Sequence, residues 1–143
     1  MSRSLMAAEQ VAVGSDLPSL TVRFTRATLV RYAGASGDFN PIHYSDHFAA
    51  KVGLPGVIAH GMLIMGTALR VVTDWVRDPA RVTSYFVRFS NPVVVPDDEH
   101  GVEVIFTARV EAVESDRVSV VIEATSGGRK VLGAARAEVN LGV

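Results

Sequence analysis

The sequence predicts an α+β fold in which an antiparallel sheet wraps around one long buried helix, as a single domain over residues 1–143. Helix signals are concentrated in the first half of the 143-residue chain and strand signals in the second half. This segregation is typical of α+β proteins, since α/β proteins alternate the two kinds of element. Between the halves lies a segment that is apolar on nearly every face, and such a helix belongs inside a core.

The first half is predicted to contain one short strand and two helices before the central one. Residues 20–24 (LTVRF) form the strand, and Thr25 is a good N-cap for a helix that continues to Ala33. Ser45 can cap a further short helix over residues 46–51. The stretch 51–60, which is punctuated by Gly and Pro, is expected to be irregular.

The central helix is predicted over residues 61–76, with the sequence GMLIMGTALRVVTDWV. Arg70 and Asp74 are its only charged residues, so we expect it to be buried on all sides. His60 stands directly before it and is predicted to cap this helix or to pack beneath it, with a binding role as the alternative.

The second half is predicted to form strands at residues 81–89, 102–113, 117–125 and 130–141. The last three alternate apolar and polar side chains with the period of two that a half-buried strand requires. In the segment 117–125, one face carries Val118, Val120, Ile122 and Ala124. Turn residues at 114–117 and 126–129 predict two hairpins.

The residues that could carry chemistry are concentrated in the loop after the first helix, where Asp38, Asn40 and His43 stand close together. Gly37 and Pro41 keep this segment out of a regular helix, because neither residue suits a helix interior. The turn can bring a carboxylate, an amide and an imidazole to one small volume, and these groups can move a proton and a water without a metal or cofactor. The alternative is that Asp38 and Asn40 only form the turn, since both residue types favour turns.

Composition argues against several other classes of function. A net charge of −1 at pH 7 leaves no basic excess to neutralise nucleic-acid phosphates. The chain has no cysteine, which excludes disulfides and cysteine-ligated zinc and fits a reducing, cytoplasmic location. We expect no signal peptide at the N-terminus and no membrane span, because the longest apolar stretch, residues 52–69, is broken by Pro55 and four glycines.

The loop and the order of the elements resemble the MaoC-like family of (R)-specific enoyl-thioester hydratases and dehydratases, which have the hot-dog fold. The family pattern is an aromatic residue, small residues ending in Gly-Asp-x-Asn-Pro, an aliphatic residue, His, and a small residue six positions later. This chain meets the pattern from Tyr32 to Ala49. Residues 58–63 are similar to the family's His-Gly opening of the central helix, and residues 85–97 to its first long strand and the following Pro-x(3)-Pro turn.

The resemblance implies an enzyme that removes water from (3R)-hydroxyacyl thioesters to give trans-2-enoyl thioesters, or runs the reverse hydration. Asp38 and His43 would be catalytic, with His43 as the base for the C2 proton, since an imidazole ordinarily titrates near neutrality. Which of the two protonates the leaving hydroxyl stays open. Asn40 would orient the loop, or hydrogen-bond the substrate or His43. The Gly61 backbone N–H would bind the thioester carbonyl at the helix start, where the dipole favours negative charge.

Residues 72–79 and 125–130 are more particularly similar to the β subunit of a bacterial type II fatty-acid-synthase dehydratase from mycolic-acid-producing bacteria, where it pairs with a related α or γ subunit. This similarity implies a substrate on acyl carrier protein, a hot-dog partner subunit, and neither metal nor cofactor. One alternative is a homodimeric (R)-specific enoyl-CoA hydratase. Another is a non-catalytic hot-dog subunit that binds acyl chains or stabilises a partner, against which the presence of both Asp38 and His43 argues.

Overall fold

The computed structural model describes residues 11–142 and confirms the predicted α+β architecture. The first half contains strand β1 (Leu20–Phe24) and helices α1 (Arg26–Ser36), α2 (Asp46–Lys51) and α3 (Gly61–Val76). The second half contains strands β2 (Val82–Phe89), β3 (Val102–Glu114), β4 (Arg117–Ser126), β5 (Arg129–Lys130) and β6 (Leu132–Asn140). Single 3₁₀ turns lie at Pro41–His43 and Pro79–Arg81.

Both predicted helix caps are present. At the start of α1, the Thr25 hydroxyl accepts the Thr28 N–H while the Thr28 hydroxyl accepts the Thr25 N–H. The Ser45 hydroxyl accepts the Phe48 N–H at the start of α2. The predicted end of α1 at Ala33 is wrong, because the helix continues to Ser36 and stops at Gly37, which adopts the left-handed conformation that glycine tolerates best.

The sheet is antiparallel throughout, in the order β1-β3-β4-β6-β2, with β5 paired to β4. Both predicted hairpins are present. The predicted single strand over 130–141 is wrong, because it is divided into β5 and β6 at Val131. The Val131 N–H donates to Ala124 of β4, while its carbonyl accepts the Ser90 N–H at 2.9 Å. The chain therefore leaves its pairing with β4 for a few residues before β6 begins.

The core lies between α3 and the inner face of the sheet. The predicted inward residues of β4 are at most 2% exposed: Val118, Val120, Ile122 and Ala124. The buried side chains of α3 that meet them are Ile64, Ala68, Val71, Val72 and Val76. The hot-dog arrangement of one sheet against one central helix is thus present in this single chain.

The expectation that α3 is buried on all sides is wrong for this single chain. Met62 is 63% exposed, and Gly66, Arg70 and Asp74 follow it at one residue per turn on the same open face. The reason is geometric: the sheet covers only one side of the helix. Beside this open face, the edge strand β2 exposes Phe86, and Phe89 is 49% exposed at its end.

Within residues 11–142, no helix combines the length and the apolar character that crossing a bilayer requires. Residues 1–10 and Val143 lie outside the described residues. The expectation about a signal peptide concerns that N-terminal segment and stays an expectation.

Candidate active site

The loop between α1 and α2 is shaped by short-range hydrogen bonds from its own side chains. Asp38 Oδ1 accepts the Asn40 N–H at 3.2 Å, and Asn40 Oδ1 accepts the Ile42 N–H at 3.2 Å. Pro41 then begins the 3₁₀ turn that ends at His43. Asp38 and Asn40 therefore do form the turn, as the alternative interpretation predicts. One carboxylate oxygen of Asp38, Oδ2, stays outside this turn.

His43 is held from one side so that its other ring nitrogen faces the site. Its side chain is only 8% exposed, and Nδ1 lies 2.7 Å from the Ile58 carbonyl oxygen. Because a carbonyl only accepts, Nδ1 must carry the proton in this contact. In the neutral ring Nε2 is then an acceptor, which is the state that a general base needs.

Asp38 and His43 are brought together as the loop pattern predicts. His43 Nε2 lies 3.8 Å from Asp38 Oδ2, which is longer than a direct hydrogen bond. The Asp38 side chain is 50% exposed, so the carboxylate faces solvent while the imidazole lies behind it.

His60 belongs to the same cluster, whereas the sequence predicts that it caps α3 or packs beneath it. Its ring is 1% exposed, stacks on the His43 ring at 3.7 Å between centroids, and meets Tyr32 edge-on at 4.7 Å. Nε2 lies 3.1 Å from the Asp38 carbonyl oxygen, and no side-chain cap bond to α3 forms. Burial lowers the pKa of His60, and the neighbouring His43 adds to the effect.

Gly61 lies at the first position of α3, as predicted. The first intrahelical bond runs from the Ile64 N–H to the His60 carbonyl, so the Gly61 N–H precedes the helical ladder and is free to bind a ligand. A Cβ at Gly61 would lie 3.2 Å from the Phe89 ring, a close contact that a small shift of the half-exposed ring would have to relieve. Gly61 is exposed in this chain.

A cavity of about 390 Å³ lies at the site, and both His43 and Gly61 line it. Its walls also contain Ile58, Ile64 and Phe89, and Asn91 lies in its wall beside Val131. Neither Asp38 nor Asn40 is part of the lining. The structure thus brings Asp38, His43 and Gly61 to one region, whereas the Asn40 side chain bonds within the turn and makes no hydrogen bond to the His43 ring.

The loop is braced from outside by Arg26 at the start of α1. Its guanidinium lies 2.8 Å from Asp46 Oδ1 on α2 and 2.6 Å from the Val95 carbonyl oxygen. The hydrogen bond from Arg26 holds the pKa of the Asp46 carboxyl below its usual range. The two helices that flank the loop are therefore tied to each other and to the segment after β2.

The cluster offers little to a metal ion. Asp38, His43 and His60 present potential ligand atoms within 4.8 Å of one another. However, His60 Nε2 already faces the Asp38 carbonyl, and His60 Nδ1 is buried. Two accessible ligands remain, fewer than the three or four protein ligands of ordinary zinc sites. The arrangement suits proton transfer better than metal binding.

A second depression of similar volume, about 390 Å³, lies on the outer face of the sheet. Asp16 and Arg109 there are 2.9 Å apart and neutralise each other, and the hydrogen bond that Arg109 donates to Asp16 raises the pKa of Arg109. It contains no histidine and no group poised for proton transfer near pH 7. The cavity at His43 is the better candidate.

Comparison with known proteins assigns this geometry to a family. Residues 9–127 match the family model described as MaoC like domain. A stretch of 79 residues is 40% identical to 3-hydroxyacyl-thioester dehydratase X of Mycobacterium tuberculosis, which is 55% of this chain and 27% of that protein. The chain thus spans about a quarter of the length of this curated relative.

Solved structures agree with the family match. A protein titled MaoC-like dehydratase superposes with a TM-score of 0.92 at 37% identity, over 96% of this chain and 43% of that one. The (R)-hydratase from A. caviae involved in PHA biosynthesis gives a TM-score of 0.81 at 25% identity, over 94% of this chain and 99% of that one. The HadBC (3R-hydroxyacyl-ACP dehydratase) complex from Mycobacterium tuberculosis gives 0.69 at 18% identity, over 90% and 97%, a likeness of fold alone.

Proposed function

Because the family model covers most of its length, this chain belongs to the MaoC-like domain family, and we propose that it is a dehydratase of (3R)-hydroxyacyl thioesters. The reaction yields trans-2-enoyl thioesters and is reversible as a hydration. The observation that carries the proposal is the geometry of His43, whose accepting Nε2 lies 3.8 Å from the free oxygen of Asp38 and which lines the same cavity as Gly61.

The proposed mechanism uses only groups of the chain. His43 Nε2 removes the proton from C2 of the hydroxyacyl group, and negative charge develops on the thioester oxygen. The Gly61 N–H donates to that oxygen, where a helix start favours negative charge. The C3 hydroxyl leaves as water after it accepts a proton from the Asp38–His43 pair. Asp38 and His43 act as one coupled unit in this step, and the proton comes from that unit. No metal or cofactor takes part.

The substrate is proposed to be carried on the phosphopantetheine of acyl carrier protein, in fatty-acid and mycolic-acid elongation. The rim of the cavity supports a phosphate-bearing carrier. Asn91 accepts a bond from Arg129 Nη2 at 3.0 Å and donates to the Lys130 main-chain carbonyl at 2.8 Å, which places the Arg129 guanidinium and the main chain of Lys130 beside the cavity wall. Among residues 11–142, no carboxylate lies within 4.0 Å of the cationic group of Arg129 or Lys130.

The carrier proposal is tested with the double variant Arg129→Ala/Lys130→Ala. We expect KM for a phosphopantetheine-linked enoyl thioester to rise, while KM for the phosphate-free N-acetylcysteamine thioester stays unchanged. Arg117→Ala is the matched control, since Arg117 lies at the opposite end of β4, about 30 Å away at ~3.3 Å per residue. Equal effects on both thioesters would contradict a phosphate contact at this rim.

The partner is proposed to be a related hot-dog subunit in a heterodimer. The open face of α3 and the exposed edge strand β2 support the need for a second subunit. The homodimeric (R)-specific enoyl-CoA hydratase stays the second candidate, and the likeness to the A. caviae (R)-hydratase over 99% of that chain favours it. The site of action is proposed to be the cytoplasm.

The proposed function is tested by hydration of trans-2-enoyl thioesters of graded chain length, followed as the loss of enoyl absorbance. The chain is assayed alone and together with a related hot-dog subunit. Chiral analysis of the product should give the (3R)-hydroxyacyl thioester. A predominantly (3S) product, or no hydration in either preparation, would overturn the proposal.

A further inference from the structure

We propose that His60 is a positioning residue, whose Nε2–H holds the backbone of Asp38 against the start of α3 and thereby sets the carboxylate relative to His43 and Gly61. The inference rests on the proposed function for its consequence in catalysis. Its structural part rests on the contacts of His60 alone.

Asp38 depends on His60 for its long-range hydrogen bonding. The Asp38 N–H donates to Ser36 Oγ at 3.1 Å, and Asp38 Oδ1 accepts the Asn40 N–H at 3.2 Å. Within the described part of the chain, the other hydrogen bonds of Asp38 thus reach only two residues along the loop. The contact from His60 Nε2 to the Asp38 carbonyl, at 3.1 Å, is the one that fixes the loop to an element 22 residues away.

The protonation state of His60 follows from its surroundings. Because the Asp38 carbonyl only accepts, Nε2 must carry the proton. His60 is 1% exposed, and this burial lowers its pKa and so favours the neutral ring, in which Nδ1 carries no proton. His60 Nδ1 has no hydrogen-bond partner among the described residues, so Nε2 is the ring nitrogen through which His60 bonds to the chain.

The same side chain couples two parts of the site. His60 is the residue before Gly61, so its main chain leads into the proposed oxyanion donor while its side chain holds Asp38. Its ring is also the surface on which the His43 ring lies, at 3.7 Å and 21° between planes. Small displacements of catalytic groups lower rates strongly, by about 10²-fold for roughly 1 Å in unfavourable cases.

Two substitutions separate the donor from the ring. His60→Phe keeps an aromatic ring against His43 and Tyr32 but has no N–H for Asp38. His60→Gln loses the ring but carries an amide N–H at the same distance along the side chain as Nε2. We expect kcat of His60→Phe to fall at least about tenfold with KM nearly unchanged, since the reacting groups and not the binding walls are displaced. His60→Gln should restore at least about threefold over His60→Phe.

The control is His100→Gln, which removes an exposed histidine far along the chain and should leave kcat unchanged. Urea unfolding of each variant shows whether the compared proteins are equally folded. A His60→Gln variant that is no more active than His60→Phe would overturn the positioning role.

A second measurement needs neither activity nor a variant. In ¹⁵N-labelled protein, the ring-nitrogen shifts of histidines report which nitrogen carries the proton. In the neutral rings, we expect the proton of His60 on Nε2 and that of His43 on Nδ1. A His60 ring protonated on Nδ1 would overturn the inference. Failure of the proposed function would appear separately, as an absence of hydration in the wild-type protein with these tautomers intact.

Discussion

At the scale of residues, the site is built on two histidines that use opposite ring nitrogens. His43 donates from Nδ1 to the Ile58 carbonyl, and His60 donates from Nε2 to the Asp38 carbonyl. The first leaves an accepting Nε2 beside the carboxylate, whereas the second leaves a buried nitrogen that cannot reach substrate. In the proposed mechanism, the His43 ring therefore acts as the base, and the stacked His60 ring supports it.

The lowered pKa of His60 predicts a pH dependence of stability. Its ordinary value is 6.5 and burial lowers it in the folded chain, so the unfolded chain binds the proton first as pH falls. The stabilising contribution is complete above 6.5 and is lost as pH falls below that value toward the folded pKa. We expect the urea midpoint to be lower at pH 5.5 than at pH 8.

His60→Gln should show a smaller difference between these two midpoints, because the glutamine side chain does not titrate. His100→Gln should keep the wild-type difference, since His100 is exposed. An undiminished pH difference in His60→Gln would show that other groups cause it.

The sequence predicted the location of Asp38 and His43 because all of their motif lies within one local loop. It did not predict the role of His60, since the bond from its ring to Asp38 joins residues 22 positions apart. No local sequence pattern predicts which carbonyl oxygen a buried histidine will bond to. Asn40 was predicted to orient the loop or bind a partner, and the contact present in the structure is the one within the turn.

At the scale of elements, the cap residues decide where the loop begins. Thr25 closes the first turn of α1 through its reciprocal bonds with Thr28, and Gly37 ends the helix directly before Asp38. Caps of this kind depend on a few neighbouring residues, which is why the starts of α1 and α2 could be predicted. The division of β5 from β6 could not, because it depends on a hydrogen bond to Val131 from Ser90, which follows the end of β2 and is distant in sequence.

Thr25→Ala should lower the free energy of unfolding by about 1 kcal/mol, because it removes the hydroxyl that caps α1. Thr21→Ala is the matched control, since Thr21 is exposed on β1 and caps no helix. Urea unfolding measures both. A Thr25→Ala variant as stable as Thr21→Ala would contradict the capping account.

At the scale of the whole molecule, the open face of α3 is the feature that the sequence alone misassigned. Its apolar composition predicted burial on all sides, but the sheet of one chain covers one side and leaves Met62 and Gly66 exposed. The apolar composition of α3 thus fits an assembly, in which a second subunit covers the open face, better than it fits a single chain. The periodicity of a sequence shows that a helix face is apolar, but it does not show whether the same chain or another chain covers that face.

We expect the isolated chain to be self-associated, poorly soluble or weakly active, and a related hot-dog subunit to raise its activity sharply. The reason is the uncovered α3 face beside the unpaired edge of β2. Light scattering gives the mass of each preparation, and the hydration assay gives its activity. A fully active monomer would contradict this account, whereas a fully active homodimer would favour the enoyl-CoA hydratase.

The central claim is that Asp38 and His43 together carry out the proton transfers of hydration and dehydration. It is tested most directly by the hydration rates of Asp38→Asn and His43→Asn. Asp38→Asn cannot exchange the proton, and His43→Asn keeps an N–H for the Ile58 carbonyl without a base. Asp97→Asn and His47→Asn, which change exposed residues of the same types, are the controls.

In that measurement we expect each site variant to lose at least ~10² in kcat while it stays folded, because general acid–base catalysis contributes about 10²–10⁴. Both controls should keep the wild-type rate. A folded Asp38→Asn or His43→Asn variant that hydrates trans-2-enoyl thioesters at the wild-type rate would contradict the claim.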